Sequence, residues 1–557
     1  MFLKPLEEKK TNKFLDFLKN RPAVIIAVVL AVIVLFAFII YRENSDAGKK
    51  EVKSGASNST YQSTDTILLA THQIESLNPL SSTDSDTYQI TQLVYSSLFS
   101  LDDNLNIQTD LVDSYQTDPD AGSVTITLRS GVVFSDGSAL DESDVAYTVR
   151  QIKSIGDQGP YYVYADRIDR VSGNGTKVTI YFKDPSDAAL DNLTFPIVSS
   201  NGYSKDDSYT SVGSGPYKIK SVKKNLSVIK LTPNESYYGS KAKNNITFSQ
   251  VTYDGNLTGL VSEGKITAYI NQTDSDAKSE AEDLGIHGAY FRSNQCEYLG
   301  FRYSGATKKK KVRQAICYAL DNASLAKDSY GSSAMLSDSV YYPGFLGTKN
   351  AKDAFPYDQS KAEDLLRSAG WYDRDGDGKV ENSKGKNMKL SLLVNADNSR
   401  RTDCAAEIKE ELSSVGITVK VVKKSGEEYD AAVSEHDFDL LLAGYQFDKT
   451  YNLKEMFDTG NDLGYTNRVV EREVAALETS LTADEQTKAY RQLKKSLNSD
   501  VPYYCICYKR WVFVYPDGLS KQDKPRFYNW YYGISSWKWK EVVTPDTASD
   551  TYESSTK

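Results

Sequence analysis

An uninterrupted apolar segment near the N-terminus restricts what the first part of this chain can form. Residues 23–40 read AVIIAVVLAVIVLFAFII, 18 consecutive residues without a charged or hydroxyl-bearing side chain. As a helix rising 1.5 Å per residue, the segment would span roughly 27 Å, close to the thickness of a bilayer's hydrocarbon core. The apolar part of a cleavable signal peptide is only about 7–15 residues long. We therefore predict that residues 22–41 form an uncleaved transmembrane anchor.

The charged residues beside this segment indicate its orientation. Six basic residues precede it, namely Lys4, Lys9, Lys10, Lys13, Lys19 and Arg21, whereas only Arg42 follows it closely. By the positive-inside rule, residues 1–21 are expected in the cytoplasm and everything after Tyr41 outside. The protein would then cross the plasma membrane once, with its folded part on the extracellular or periplasmic side. Cleavage at Ser45-Asp46-Ala47 is the alternative.

Two polar segments flank the part of the chain that can fold. Residues 42–63 are rich in Ser, Asn, Gly and Lys, a composition that cannot bury a core. We expect them to form a flexible spacer between the membrane and the folded part. Residues 546–557 are expected to be a tail for the same reason.

The composition excludes several classes of function. Asp and Glu number 75 against 66 Lys and Arg, and the formal net charge of −9 argues against binding to a nucleic-acid backbone. Three histidines and five cysteines in 557 residues supply neither a histidine-based metal site nor a disulfide scaffold. The 39 tyrosines suit half-buried binding surfaces, because each ring carries a polar group at its tip.

Beyond residue 64, the sequence alternates between the periodicities of strands and helices. Thr66–Ala70 has the pattern of a short strand, and helices are predicted to begin after the capping residues Asp86 and Asp141. A strand–helix–strand unit is predicted over 388–422, followed by a buried strand at Leu440–Ala443. The fold class is therefore α/β, with several lobes.

One acidic loop, DRDGDGK, matches the opening of a calcium-binding loop. Asp373, Asp375, Asp377 and Gly378 occupy its first, third, fifth and sixth positions, but Lys384 stands where the twelfth position should supply a bidentate Glu. A polar hairpin turn is the competing interpretation. Since the chain also lacks the sequence signatures of Ser-His-Asp and zinc-protease sites, we expect no metal, no cofactor and no catalytic residue.

Six blocks of sequence follow one another in an order that is typical of one protein family. They are SLNPLSSTDSDTYQITQLVYSSLFSLD (76–102), ITLRSGVVFSDGSALDESDVAYTVRQI (126–152), VGSGPYKI (212–219) with NESYYG (234–239), KVRQAICYALDNASL (311–325), YDQSKAEDLLRSAGW (357–371) and Val501-Pro502 before a strand near Tyr508. In these blocks the chain resembles the extracellular solute-binding proteins of ABC importers, specifically the dipeptide- and oligopeptide-binding family (family 5). The resemblance covers roughly residues 64–540.

The resemblance implies a periplasmic-binding-protein-like fold, in which two lobes are hinged around a cleft. Lobe one would be 64–295, with a core of 64–97 and 211–295 and an extra subdomain of 98–210. Lobe two would be 296–507, and a return segment, 508–545, would complete lobe one.

The resemblance also implies a function without enzymatic activity. Such a protein captures a solute, closes around it and delivers it to an ABC permease and its ATPase. We expect short peptides (di- and oligopeptides) as ligands, no nucleic acid as a partner, and a monomer. Three alternatives stay open: another solute such as a sugar or a metal chelate, a sensory ectodomain that acts through a partner protein, and, more remotely, a secreted α/β hydrolase.

The resemblance further suggests where a peptide's amino terminus would bind. In AGYQFDKTYN (443–452), Gly444, Tyr445, Gln446, Phe447 and Asp448 occupy the places of the family's Gly-Trp-x-x-Asp segment. Backbone groups and the acidic side chain of that segment would receive the ammonium group. Tyr445 stands where the family has Trp. For Asp448, a loop-capping role is the alternative.

Overall fold

The computed structural model describes residues 60–543, except for 186–188, 252–255, 273–275, 352, 452, 459 and 481. The predicted cytoplasmic segment (1–21), the predicted anchor (22–41) and the predicted tail (546–557) lie outside the described residues. Among the residues that the structure describes, no helix is both long enough and apolar enough to cross a membrane.

The strands follow the chain in an order that mixes short hairpins with two long strands. They are β1 (Thr60–Thr64), β2 (Thr66–Thr71), β3 (Phe99–Leu101), β4 (Ile107–Thr109), β5 (Val112–Asp118), β6 (Ser123–Leu128), β7 (Ile168–Asn174), β8 (Lys177–Phe182), β9 (Tyr217–Val222), β10 (Val228–Pro233), β11 (Asn245–Gln250), β12 (Tyr269–Asn271), β13 (His287–Phe301), β14 (Ala334–Met335), β15 (Lys389–Asn395), β16 (Thr418–Lys424), β17 (Leu440–Gln446), β18 (Tyr503–Tyr515), β19 (Leu519–Ser520) and β20 (Lys538–Val543).

The helices lie mainly between β13 and β18. They are α1 (Ser85–Val94), α2 (Glu142–Ile155), α3 (Tyr162–Ala165), α4 (Leu257–Ser262), α5 (Ala277–Asp283), α6 (Lys310–Ala319), α7 (Asn322–Tyr330), α8 (Gln359–Ser368), α9 (Ser399–Ser414), α10 (Gly426–Ser434), α11 (Lys454–Phe457), α12 (Arg468–Glu478) and α13 (Ala483–Asp500). Short 3-10 turns occur at Leu190–Leu193, Gly331–Ser333, Phe345–Gly347 and Ile534–Ser536.

Five sheets organise the described strands. The largest has the order β12-β18-β13-β17-β15-β16, with β14 also paired to β18. Two four-stranded sheets have the orders β2-β11-β10-β9 and β5-β6-β8-β7, and smaller sheets are β1-β20-β19 and β3-β4. Within the largest sheet, β15 pairs parallel to both β16 and β17, whereas β13 pairs antiparallel to β17 and β18. The predicted strand–helix–strand unit over 388–422 is confirmed as β15-α9-β16.

Local sequence signals explain several of these boundaries, and one of them was assigned wrongly. Asp141 caps α2 as predicted, in a capping box with Asp144. The cap of α1 is Asp84, whose side chain accepts from the Thr87 N–H, and not Asp86. Asp86 is buried instead, and one carboxylate oxygen accepts from the backbone N–H of His72 at 2.8 Å. Asp84 and Asp86 are only two residues apart, and Asp is favoured at a helix N-cap. The sequence alone therefore does not show which of the two caps the helix.

The predicted spacer also ends earlier than its expected limit at residue 63. Residues 60–64 form β1, which pairs with β20. The segment TYQST contains three β-branched or aromatic residues, which favour a strand once a neighbouring edge is available. The remainder of the predicted spacer, 42–59, lies outside the described residues.

The long strands β13 and β18 connect the parts of the chain that were predicted to form different lobes. They pair antiparallel over most of their length, and the register is interrupted between the pairs Arg292↔Arg510 and Cys296↔Tyr508. At the interruption, the Ser293 hydroxyl donates to the Lys509 carbonyl oxygen at 2.7 Å. The predicted lobe limits at 295/296 and 507/508 lie beside this bulge; those limits stay a prediction.

Candidate functional site

The five residues that were predicted to bind a ligand lie at the end of β17 and in the loop after it. Leu440, Leu441, Leu442 and Ala443 are consecutive in β17 and all buried, so the strand is covered on both faces of the largest sheet. Gly444, Tyr445 and Gln446 continue the strand, three residues beyond its predicted end, and pair with residues 297–295 of β13. Phe447 and Asp448 then leave the sheet.

Gly444 packs against a buried ion pair. On the neighbouring strand, Glu297 is 1% exposed, and its carboxylate accepts from Arg401 Nε at 2.7 Å and lies 3.2 Å from Lys509 Nζ. A Cβ atom at Gly444 would lie 2.2 Å from Arg401 Nη2 and 2.8 Å from Glu297 Oε1. The absence of a side chain at Gly444 therefore lets the Arg401–Glu297 pair lie directly on the strand.

The next three residues form an aromatic and amide surface. The Tyr445 ring is 41% exposed, and its centroid lies 4.8 Å from that of Phe447. Phe447 is buried, stacks on Tyr451 at 5.0 Å, and donates its N–H to the Asn294 carbonyl oxygen. Gln446 Oε1 accepts from Gln295 Nε2 at 3.2 Å across the strand pair.

A cavity of about 230 Å³ opens beside this loop. The described residues that line it are Ser85, Tyr88, Gln89, Pro160, Tyr161, Tyr164, Gln272, Asn294, Gln446, Phe447, Asp448, Lys449, Trp511, Phe527, Tyr528 and Trp530. They come from six separate parts of the chain: 85–89, 160–164, 272, 294, 446–449 and 511–530. Of the five predicted residues, Gln446, Phe447 and Asp448 are among them, and Gly444 and Tyr445 are not.

The cavity combines aromatic walls with polar groups that have no hydrogen-bond partner among the residues that the structure describes. Eight of its lining residues are Tyr, Phe or Trp. Asn294 Oδ1 and Trp511 Nε1 are buried and, among the described residues, have no hydrogen-bond partner. Both residues line the cavity, and buried polar groups cost free energy unless they are paired.

The two carboxylate oxygens of Asp448 have different partners: one accepts hydrogen bonds from its own loop, and the other accepts one from a residue of the cavity wall. Oδ1 accepts from the Thr450 N–H at 2.8 Å, the Thr450 hydroxyl at 2.7 Å and the Tyr451 N–H at 3.0 Å. Oδ2 accepts from the Tyr164 hydroxyl at 3.3 Å. The loop-capping role is therefore real. Because Asp448 is exposed and Oδ2 has one long hydrogen bond, that oxygen can still accept from a ligand.

Lys449 is a residue of the cavity that the sequence analysis missed. Its Nζ donates to the Thr194 carbonyl oxygen at 3.1 Å and lies 5.6 Å from the ring centroid of Tyr88 and 5.9 Å from that of Tyr161. Burial lowers the pKa of Lys449 from its ordinary value of 10.5 to about 8. The amine is thus held against ring faces, where it can donate to a carbonyl or carboxylate oxygen.

Two carboxylates partly compensate the charge of Lys449. Asp448 and Asp191 both act to raise the lysine pKa, against the larger effect of burial. Burial, and then the charge of Asp448, raise the pKa of Asp191 to about 6. Asp191 Oδ1 is buried without a hydrogen-bond partner among the described residues. The cavity lining therefore carries one acidic group, Asp448, and one basic group, Lys449, and both interact electrostatically with Asp191. Charges of both signs suit a ligand that carries both.

The family of the chain follows from comparison with known proteins. A sequence model of bacterial extracellular solute-binding proteins, family 5 (middle part), matches residues 106–463. The chain belongs to this family. Family 5 proteins are the extracellular solute-binding components of ABC importers and are not enzymes, so the predicted family is confirmed and a hydrolase is not supported.

Individual relatives cover nearly the whole chain at low identity. The oligopeptide-binding protein AppA of Bacillus subtilis (strain 168) is 24% identical over 536 residues, which are 90% of this chain and 96% of AppA. The glutathione-binding protein GsiB of Salmonella paratyphi A is 20% identical over 481 residues, which are 82% of this chain and 91% of GsiB.

Solved structures show the fold. The structure of B. subtilis AppA in complex with a nonapeptide aligns with a TM-score of 0.56 at 22% identity, covering 87% of this chain and 100% of AppA. NikZ from Campylobacter jejuni in complex with Ni(L-His) aligns with a TM-score of 0.61 at 23% identity, covering 85% of this chain and 99% of NikZ. The predicted two-lobed, periplasmic-binding-protein-like α/β fold is confirmed.

The lowered pKa of Lys449 leads to a testable pH dependence. Below pH 8 the amine is charged in both the folded and the unfolded protein, so burying the charge lowers the free energy of unfolding by its full amount. Between pH 8 and 10.5 the unfolded chain binds the proton that the folded chain has lost, and stability therefore rises with pH. We expect the difference in unfolding free energy between wild type and Lys449→Met to shift by about 2–3 kcal/mol in favour of wild type from pH 7 to pH 10.5.

Urea unfolding of both proteins at several pH values measures this shift. Lys308→Met, at an exposed lysine, is the matched control and should give a difference that does not change with pH. A constant difference for Lys449→Met would mean that the amine is solvated in the folded protein.

Proposed function

We propose that this family 5 protein captures short peptides in the cavity beside β17 and delivers them to an ABC permease and its ATPase. The observation that carries the proposal is the composition of the cavity lining: aromatic walls, charges of both signs, and two buried polar groups, Asn294 Oδ1 and Trp511 Nε1, that lack a hydrogen-bond partner within the described part of the chain. A peptide offers N–H and C=O groups along its backbone and opposite charges at its ends, and it can satisfy all of these at once.

Two relatives support a peptide over other solutes, because AppA is named for oligopeptides and GsiB for glutathione. NikZ, with Ni(L-His), represents the other ligand class. Of the described residues that line the cavity, none is a histidine, and their polar side-chain groups are amides, hydroxyls, indole N–H groups, one carboxylate and one amine. Such groups suit hydrogen bonding to a peptide better than direct ligation of nickel.

Within this proposal, Asp448 receives the peptide ammonium group through Oδ2, and Lys449 donates to a backbone carbonyl or to the terminal carboxylate. A peptide ammonium loses water on entering the cavity, and the Asp448 carboxylate replaces part of that hydration. The aromatic rings of Tyr161 and Phe447 lower the local dielectric constant and strengthen the attraction. Gly444 and Tyr445 contribute to the shape of the strand end and are not proposed as direct ligands.

Replacing Asp448 tests this assignment. Asp448→Asn keeps the loop acceptor Oδ1 but removes the charge, and we expect it to weaken binding of a free-amine peptide by about 1.5–3 kcal/mol. Peptides with an acetylated amino terminus should bind wild type weakly and should distinguish the two proteins little. Calorimetry with matched free and acetylated peptides measures both effects.

Asp157→Asn, at an exposed carboxylate outside the cavity lining, is the control for this experiment. It should bind like wild type. Equal affinity of Asp448→Asn and wild type for the free-amine peptide would show that Asp448 only caps its loop.

We further propose that the protein is held at the membrane by residues 22–41 and reaches its permease through the polar residues that follow. The support is the length of the apolar run 23–40 and the basic residues before it. A tether of this kind keeps the receptor close to its permease and raises its effective concentration there.

N-terminal sequencing of the protein from native membranes tests the anchor. The expected start is at or near Met1, because the apolar run is longer than that of a cleaved signal peptide. A start at Gly48 would instead mean cleavage after Ala47, and the anchor proposal would be wrong.

A further inference from the structure

The acidic loop between α8 and β15 brings four carboxylates together. One carboxylate oxygen from each of Asp373, Asp375, Asp377 and Glu381 lies within 4.8 Å of the corresponding oxygens of the others. Calcium–oxygen bonds are about 2.3–2.6 Å long, so oxygens on opposite sides of a calcium ion lie about 4.6–5.2 Å apart. The group is therefore compatible with a calcium ion at its centre, and a cluster of protein carboxylates suits calcium better than Mg²⁺, which usually keeps several waters.

The backbone of the loop orients three of these side chains. Asp373 accepts from the N–H of Gly376 at 2.7 Å and from the N–H of Gly378 at 3.0 Å. Asp375 accepts from the N–H of Asp377 at 3.2 Å. Gly378 has a φ of +80°, which allows the sharp turn that a calcium loop requires at its sixth position.

Glu381 supplies the observation that points to a cation. Its side chain is 3% exposed, and Oε2 accepts from the N–H of Arg374 at 2.8 Å. Oε1 is buried and has no hydrogen-bond partner among the residues that the structure describes. A buried carboxylate oxygen without a partner is costly, and a bound cation beside three further carboxylates would remove that cost.

We propose that Asp373, Asp375, Asp377 and Glu381 bind one calcium ion. Glu381, at the ninth position of the loop, replaces the glutamate that is missing at Lys384. Water and main-chain oxygens would complete the six to eight ligands that calcium takes. The Lys379 ammonium, which lies 2.8 Å from Asp377 Oδ2, must be displaced, and this costs little because both side chains are exposed.

A calcium ion in this loop would also be linked to the buried residues beside β15. Val380, beside Glu381, is buried, donates its N–H to the Gly416 carbonyl oxygen at 3.0 Å and accepts from the N–H of Met388 at 2.8 Å. Met388 immediately precedes β15, which pairs with β17. Calcium should therefore stabilise the fold, although the ion lies away from the peptide cavity.

The test is calorimetric titration of CaCl2 into the full-length chain, purified in detergent and treated with a chelator. One calcium ion should bind per chain, and the melting temperature should rise with calcium. Glu381→Gln and Asp375→Asn should each weaken calcium binding at least about tenfold, since each removes a charged ligand. The matched control Asp364→Asn, on the exposed face of α8, should bind as wild type does.

Several results would overturn the proposal. The first is no heat of binding and no change in melting temperature at about 5 mM calcium, a concentration above the dissociation constants of weak natural calcium sites. The second is equal affinity for Mg²⁺ and calcium. The third is wild-type calcium affinity in the Glu381→Gln variant. Because Glu381 is buried, circular dichroism of Glu381→Gln must show a folded protein. If it does not, Asp375→Asn, at an exposed residue, decides alone: wild-type affinity there would overturn the proposal.

Discussion

The pairing of β13 with β18 is the interaction on which the rest of the structure depends. These two strands, 15 and 13 residues long, are neighbours in the largest sheet, and each also pairs with further strands. β13 also pairs with β17, and the loop that contains Asp448 and Lys449 directly follows β17 in the chain. The bulge at residues 293–295 bends the pair where Asn294 lines the cavity. A bulge re-aims side chains and locally increases strand twist, so the binding site and the bend share one cause.

Buried charge fixes the position of the strand that ends at the site. Glu297 is held between Arg401 and Lys509, and the lack of a side chain at Gly444 lets this cluster lie on β17. Breaking a buried ion pair by removing one partner is strongly destabilising, so the cluster strongly favours one register between β13 and β17. Beyond the strand, the charges are less fully compensated: loss of contact with water lowers the pKa of Lys449, which lines the cavity, and raises the pKa of Asp191. Such shifts are common where a protein binds a charged ligand.

The sequence predicted the fold class and the position of β17 because both depend on local patterns. The alternation at 388–422 and the apolar run Leu440–Ala443 are confirmed as β15, α9, β16 and β17. The choice of cap between Asp84 and Asp86 could not be predicted, because it depends on the contact of Asp86 with His72, 14 residues away.

The site residues that come from distant parts of the chain also could not be predicted from the sequence. Tyr88, Tyr161 and Trp511 meet only because strands and helices far apart in sequence pack together. The abundance of tyrosine hinted at such a surface without locating it. Lys449 stood next to Asp448 in the segment that was singled out, but its burial depends on Tyr88, Tyr161 and Thr194. Glu381 was likewise visible in the sequence, but only the folded loop brings it back to the three aspartates.

The central claim is that the cavity beside β17 binds short peptides without changing them. Mass spectrometry of the small molecules that co-purify with the protein, released by mild denaturation, tests it most directly. The account predicts short peptides with free amino termini, in roughly equimolar amount, together with a rise in melting temperature when such peptides are added back. Recovery of a sugar or a metal chelate instead, with no thermal shift from peptide mixtures, would contradict the account.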